Sequence, residues 1–264
     1  MKYTVLSLFP EICDAYFASS IMAKAVSRGI VEYRAINIRD FAFDKHRSCD
    51  DAPYGGGPGM LMLPEPLGRA LEAAGAVNRY TANHDASAAE KGTKRVIYLS
   101  PSGQPLNQAL ARELAAEKEL ILLCGRYEGI DQRIIDCYVD DEISVGDYVL
   151  SSGETAALVL IDATYRLVEQ VITSASLEEE SFNSFLLEYP QYTRPELYAT
   201  LKVPEVLLSG HHEHIRRWRL EKRVEKTLKR RPDLIAETLN EPFNSEVLKI
   251  IEQKRREQNG EEER

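Results

Sequence analysis

Between residues 96 and 154 an apolar, strand-like run ends three times in a loop of small or turn-forming residues. Residues 96–99 (VIYL) lead into Ser100, Pro101, Ser102 and Gly103. Residues 120–124 (LILLC) lead into Gly125, Arg126, Tyr127, Glu128 and Gly129. Residues 143–145 (ISV) lead into Gly146, Asp147 and Tyr148, and the stretch closes on Ser151, Ser152, Gly153 and Glu154. Short apolar runs alternating with loops and helical stretches write a parallel α/β sheet, and ligands of such sheets bind beyond the carboxyl ends of the strands. Three loops so close in sequence point to one pocket built mostly of backbone. A nucleoside-containing cofactor suits it, because backbone groups read an adenine edge while apolar walls contact its faces. No GxGxxG follows a strand and no Walker A lysine is present, so a phosphate cradle has no support. On spacing alone, ordinary strand-to-helix turns explain the loops equally well.

The flanking sequence fits the same architecture. Residues 3–9 read as a first strand, and Pro10 as the opening of a helix whose apolar positions Ile12, Tyr16, Ile21, Ala25 and Val26 run to a stop at Gly29. A strand over 31–38 follows, then a stretch without periodicity, 39–60, that holds PYGGGPG at 53–59. Aperiodic stretches of that length inside a domain are functional or mobile. Helices are expected at 65–74, 106–117 and 155–168, and residues 78–93 read as a surface insertion. Helices between consecutive strands give crossover connections. Residues 173–187 break the pattern and read as an interdomain linker between a sheet domain (1–172) and a helical domain (188–264). In the latter, Ile215, Trp218, Leu220, Val224 and Leu228 supply apolar positions until Pro232 interrupts the run.

With 44% hydrophobic and 28% charged residues, the chain has the composition of a soluble globular protein. No apolar run approaches the roughly 20 residues of a membrane span. The first residues are too short a run for a signal peptide. Cys13, Cys49, Cys124 and Cys137 lack CxxC spacing, so reduced thiols and a cytoplasmic location are expected. A net charge of −9 argues against nucleic acid, but its distribution reverses that. Residues 211–233 carry nine lysines and arginines against four acids, while acid concentrates at Glu178–Glu180 and in the tail at 261–263. A local basic face binds phosphate whatever the global charge, since the field within a Debye length governs contact. A solvated helix face is the equal alternative.

Several blocks sharpen this. Residues 125–131 (GRYEGID), 143–150 (ISVGDYVL), 98–103 (YLSPSG), 50–60 (DDAPYGGGPGM), 188–195 (EYPQYTRP), 209–212 (SGHH) and 215–219 (IRRWR) closely resemble the bacterial tRNA (guanine-N1)-methyltransferase family, TrmD, of the SPOUT class. The resemblance runs from Ser7 to about Pro232, leaving out 78–93 and the last stretch of the chain. It implies a SPOUT-type parallel sheet with a deep trefoil knot formed by the three loops, plus a small all-α C-terminal domain. It implies S-adenosylmethionine held by Tyr98, Leu99, Ser100, Pro101, Gly103, Gly125, Tyr127, Glu128, Val145, Gly146, Asp147, Tyr148, Val149, Leu150 and Gly153. It also implies a homodimer with a shared active site, tRNA as substrate, and methylation at N1 of the guanosine immediately 3′ of the anticodon.

Guanine N1 carries a proton and becomes a useful nucleophile only as that proton leaves, so a carboxylate base must lie within reach. Charge then develops on the adjacent carbonyl oxygen, where a cation stabilises it. In the family the base is an aspartate directly before Ser-Phe of the linker; here that position is Glu180, and the cation position matches Arg166. A glutamate adds a methylene and a rotor, and misplacement by about 1 Å costs on the order of a hundredfold in rate. Judged by the spacing from Arg166, the linker is expected to be one residue shorter than in the family, and our hypothesis is that this offsets the longer arm. The plain alternative is that Glu178–Glu180 is a solvated acidic linker. Two further departures are Ser152, where the family has glycine and where a positive φ would strain the pocket floor, and Asn183, Ser184 and Phe185 in place of a glycine-containing stretch. Asp50, Tyr54 and Gly59 are expected to hold the extruded guanine with Ser181, the alternative being a flexible surface loop. Arg216, Arg217, Arg219 and Lys222 are expected to contact phosphates. His211, His212 and His214 lack HExxH spacing, so no metal site is assigned, although the resemblance suggests that magnesium assists. The rival readings are a related knotted methyltransferase acting on another RNA and an RNA-binding protein with an attenuated site.

Overall fold

In a computed structural model of the chain, which describes residues 1–81, 94–172, 180–182, 185–237 and 245–262, two compact units separate at Thr173 and Ser174. The first is built on five parallel strands. These are β1 (Lys2–Ser7), β2 (Glu32–Asn37), β5 (Lys94–Pro105), β6 (Glu119–Cys124) and β7 (Asp141–Ser144), in the order β2-β1-β6-β5-β7. Two short antiparallel strands, β3 (Asp50–Asp51) and β4 (Leu61–Met62), bracket the glycine-rich stretch.

The central strand β6 is buried along its whole length, which explains its unbroken apolar run. Strand geometry sends alternate side chains to opposite faces. Accordingly Leu120, Leu122 and Cys124 join Tyr3, Val5, Ile97 and Leu99 on one face, while Ile121 and Leu123 join Leu6, Val96 and Tyr98 on the other. The first face is covered by α1 (Glu11–Phe17), α2 (Ser20–Ser27), α4 (Gln108–Ala115) and α6 (Gly153–Tyr165). The second is covered by α3 (Pro64–Ala74) and α5 (Gln132–Tyr138). Helix α5 is absent from the sequence reading; Asp131 starts it, its carboxylate accepting from the Arg133 N–H (2.9 Å) and pairing with the Arg133 guanidinium (2.7 Å).

Two expectations need correction. The single helix expected from Pro10 to Gly29 is two, because Ser19 is extended and Ser20 sits at φ 51°. The Ser19 hydroxyl donates back to the Ala15 carbonyl (2.7 Å), closing α1. Strand β5 also does not end at Leu99. It resumes at Gln104, with Leu99 and Gln104 both opposite Ile143, so residues 100–103 are an excursion within one strand. Gly103 allows it: a Cβ there would lie 2.4 Å from the Glu142 carbonyl carbon and the Ile143 nitrogen. Of the expected insertion at 78–93, residues 82–93 lie outside the described residues; Arg79, just before them, pairs with Asp140 (2.8 Å).

The second unit, Ser174–Arg264, contains α7 (Glu205–Leu208), α8 (His212–Arg230), α9 (Pro232–Glu237) and α10 (Ser245–Glu262). Its core is Leu186, Val224, Ile235, Val247, Ile250 and Ile251, with Leu220 and Leu228 packed against it. Pro232 opens α9 two residues beyond the end of α8, at a first helical position where proline is tolerated. The unit is not wholly helical: β8 (Leu197–Tyr198) and β9 (Leu201–Lys202) form a short antiparallel hairpin. Residues 173–179 and 183–184 of the expected linker lie outside the described residues. Among the described residues no helix is long and apolar enough to cross a membrane.

The fully buried Leu122 sits at the middle of the sheet's central strand. Leu122→Ala is expected to lower stability by about 2–5 kcal/mol, read as a shift of the urea midpoint without a change of slope.

Candidate active site

The excursion that follows Leu99 in β5 and the carboxyl ends of β6 and β7 open onto a pocket of about 360 Å³, within the range of small-molecule sites. Its walls are Tyr98, Leu99, Ser100, Pro101, Gly125, Tyr127, Glu128, Val145, Gly146, Tyr148, Val149, Leu150 and Gly153. The three loops singled out in the sequence therefore do converge. Of the residues expected there, Gly103 and Asp147 do not line it. Gly103 serves the β5–β7 contact described above, and Asp147 is exposed. The pocket adds Arg126, Gly129, Ile143, Ser144, Ser151, Ser152 and Ala156. All but Ala156 lie in the same loops or at the ends of their strands; Ala156, three residues beyond Gly153 on α6, follows from helical spacing.

The floor depends on a close backbone approach. The Gly153 N–H donates to the Gly125 carbonyl (2.9 Å). A Cβ at Gly153 would come within 2.6 Å of the Gly125 nitrogen and 2.8 Å of the Cys124 Cα. Ser152 sits at φ −160°, an extended conformation open to any residue, so the strain anticipated from its replacing glycine does not arise. Tyr148 folds back so that its hydroxyl donates to the Val145 carbonyl (3.0 Å). The Tyr98 phenol stands against Gly125, and burial, reinforced by the charge of Glu142, pushes it up to about 12.

Directly after Gly153, Glu154 is fully buried. Its Oε1 accepts a short hydrogen bond from the Ser7 hydroxyl at the end of β1. Its Oε2 lies 3.1 Å from Arg126 Nε, close enough for charge attraction although it accepts no hydrogen bond of good geometry. The Arg126 guanidinium lies over the Phe9 ring, 4.6 Å from its centroid. The ends of β1, β6 and the start of α6 are thereby tied together beneath the pocket. The neighbouring thiols feel this: burial and then the Glu154 charge raise Cys124 far above its ordinary range, and the same causes push Cys13 up to about 12.

The glycine-rich segment meets the pocket at Tyr127 and Glu128. Gly55, Gly56, Gly57 and Gly59 all have positive φ, and Tyr54 is fully exposed at the tip. Partial burial, and then the Asp50 carboxylate beside it, raises the Tyr127 hydroxyl. Glu128 lines the pocket, yet its carboxylate Oε2 accepts the Met60 N–H (2.6 Å).

The remaining expected residues fall in both units. Arg166 caps the carboxyl end of α6 in the first unit. Glu180 is half-buried in the second, and next to it the Ser181 hydroxyl accepts the Glu188 N–H (3.0 Å). On α8, Arg216 pairs with Glu213 (2.7 Å) and with Glu246 of α10 (2.8 Å), a bidentate arrangement that binds two helices and occupies its donors. Arg217 pairs with Glu221 (3.0 Å) and Lys222 with Glu225 (2.7 Å), while Arg219 lies over the Tyr189 ring at 4.8 Å. The rings of His211 and His214 are 5.3 Å apart, and among the described residues no group of three acidic, histidine or cysteine side chains is disposed to hold a metal ion.

Comparison with known proteins bears on this geometry. The family model described as tRNA (Guanine-1)-methyltransferase TrmD matches residues 1–237. A Treponema denticola protein named tRNA (guanine-N(1)-)-methyltransferase is 63% identical over 240 residues, covering 91% of this chain and 93% of that one. Proteins of the same name from Treponema pallidum and Borrelia duttonii are 58% and 56% identical, each covering 89% of this chain and 88% and 92% of their own. With most of its length matched by the family model and more than half its residues identical to these relatives, the chain belongs to the tRNA (guanine-1)-methyltransferase family, TrmD.

Proposed function

We propose that the protein transfers a methyl group from S-adenosylmethionine to N1 of a guanosine in tRNA, the one immediately 3′ of the anticodon. The observation that carries this is the pocket at the three converging loops in a chain whose relatives bear the name of that enzyme. The residues present fit the donor. Backbone groups at Gly125, Tyr127, Val145 and Tyr148 can read a purine edge, and Leu99, Ile143, Leu150 and Ala156 supply apolar walls for its faces. Bound there, S-adenosylmethionine supplies an electrophilic methyl group. Glu180 takes the N1 proton of the target guanine, and Arg166 neutralises the charge that grows on the base carbonyl oxygen. Asp50, Tyr54 and Gly59 hold the extruded base, with Ser181 beside the base catalyst. Arg217, Arg219 and Lys222 meet phosphates; Arg216 serves chiefly to join α8 and α10. Magnesium assistance belongs to the same reading, with no ligands assigned.

The knot and the dimer also belong to this proposal. In support of a trefoil knot, residues 145–152 leave the edge strand β7, line the same pocket as residues 98–101 of β5, and lead to Gly153, which bonds Gly125 at the end of β6. In support of a homodimer, Ile12, Val149, Leu150 and Val159 are apolar and exposed around this region. We place the enzyme in the cytoplasm with its tRNA, and take residues 1–172 as the donor-binding domain and 188–264 as the tRNA-binding domain. The names of the relatives favour neither rival reading, a methyltransferase for another RNA or an RNA-binding protein with an attenuated site.

Labelled methyl transfer to unmodified tRNA, with the product nucleoside identified, is expected to give N1-methylguanosine with the wild-type protein. Glu180→Ala is expected to lower kcat by at least the roughly hundredfold typical of a general base. If the shortened linker offsets the longer side chain, Glu180→Asp lowers turnover too; a marked gain sinks that compensation. Gly153→Ala places a methyl group on the Gly125 backbone and is expected to abolish measurable donor binding by calorimetry while the far-UV circular dichroism stays unchanged. Replacing Arg217 and Lys222 together by alanine is expected to weaken tRNA binding and reduce the slope of log K against log salt by about 1–2. An unchanged slope removes both from the phosphate interface.

A further inference from the structure

The glycine-rich segment between β3 and β4 is fastened to the rest of its unit chiefly at one end. Gly55, Gly56 and Gly57 have nothing within 4 Å of the place a Cβ would occupy, whereas Gly59 has the Glu128 carboxyl group there, with Cδ at 1.8 Å. At φ +85° a side chain at position 59 would be strained, and it would also displace the Glu128 carboxylate from its seat. The same carboxylate accepts the Met60 N–H at 2.6 Å across 68 residues of sequence. Main-chain bonds continue the seam: Glu128 N–H to the Met60 carbonyl (3.2 Å), Met62 N–H to that of Gly129 (3.0 Å) and Asp131 N–H to that of Met62 (3.2 Å). Residues 128–131 thus do two things at once. They continue the loop that lines the donor pocket, and they carry the root of the glycine-rich segment.

We propose that Glu128 is a positioning residue whose carboxylate latches the glycine-rich loop to the donor-binding loop, so that the target base is held in register with the methyl donor. This rests on the function proposed above, in which that loop holds the base. Loss of the latch leaves the Met60 N–H without its acceptor and leaves the loop root held by main-chain bonds alone. The donor pocket keeps its backbone walls. The defect therefore appears in the use of tRNA, not in the binding of donor. Glutamine matches glutamate in shape and retains a carbonyl oxygen for the Met60 N–H, so it preserves the latch without the charge.

The test compares the full-length wild type with Glu128→Ala and Glu128→Gln in three measurements. These are calorimetric binding of S-adenosylhomocysteine, amide hydrogen exchange over residues 53–62, and steady-state methyl transfer with kcat and the KM for tRNA resolved. Glu128→Ala is expected to bind S-adenosylhomocysteine like wild type, to exchange faster at Met60, and to lose about 10- to 100-fold in kcat/KM for tRNA, the scale of a small misplacement. Glu128→Gln is expected to recover the protection and most of the activity. A large loss of S-adenosylhomocysteine affinity in Glu128→Ala, with exchange at Met60 unchanged, overturns the proposal and makes Glu128 a donor contact. Full protection at Met60 in Glu128→Gln combined with the activity loss of Glu128→Ala overturns it as well, because the charge itself is then required. Wild-type protein that binds S-adenosylhomocysteine but does not methylate tRNA counts against the proposed function, and the exchange measurement still decides whether the latch exists.

Discussion

Everything around the pocket depends on how closely the start of α6 approaches the end of β6. The Gly153 N–H to Gly125 carbonyl bond closes a contact in which a side chain at Gly153 would displace main chain and one at Gly125 would meet the Tyr98 ring. Once made, it sets the loop after β7 against the loop after β6 and sends Glu154 inward. A buried carboxylate is costly unless it is compensated, and here Ser7 and Arg126 meet it while the first turn of a helix adds its positive end. Those partners come from the end of β1 and from the β6 loop, so the solvation of one carboxylate enforces the convergence of three elements. The pocket follows from that convergence.

The parts legible in the sequence are those governed by local periodicity. Strand β6 reads as apolar throughout because both its faces are covered, and the alternation of Tyr3 and Val5 against Leu6 follows from strand geometry. The three loops announce themselves through glycine and serine. What stays hidden is set by partners far away in sequence. Residues 100–103 read as the end of a strand because the resumption of pairing at Gln104 is decided by Ile143 on another strand. Ser152 reads as strained because the resembled family has glycine there, but its φ is extended and only Gly153 meets the backbone of β6. Glu128 reads as part of the donor loop, and nothing nearby discloses that its carboxylate lies over Gly59. The family resemblance supplied what periodicity could not, including the roles expected of Arg166 and Glu180.

The basic helix shows the same limit from the side of electrostatics. Nine cations between residues 211 and 233 suggest a phosphate-binding face. In the folded unit many of them are already engaged. Arg216 spans Glu213 and Glu246, Arg217 and Lys222 pair within one turn, Arg231 pairs with Asp233, and Arg223 reaches toward the Leu187 carbonyl (3.4 Å). Exposed pairs one helical turn apart contribute only a few tenths of a kcal/mol and exchange readily for a phosphate. Arg216 differs because its second partner lies on another helix, so releasing it for RNA would loosen the contact between α8 and α10. Charge counting cannot separate these two kinds of arginine, whereas the position of the acidic partner does.

The same helix governs the segment next to the proposed base. Leu186 is buried in the core of the second unit, the Leu187 N–H donates to the Thr227 hydroxyl (2.9 Å), and that hydroxyl in turn donates to the Arg223 carbonyl (2.7 Å). The Glu188 N–H then reaches back to Ser181 (3.0 Å). Residues 181 and 186–188 are thus pinned to the last turns of α8 through a buried threonine, and Glu180 stands one residue before the pinned stretch. A donor site made of backbone tolerates changes of side chain, but a general base must be placed by its own arm. In the proposed mechanism a longer side chain at this position calls for a firmly held main chain beside it, and Thr227 with Leu186 fixes the neighbouring residues.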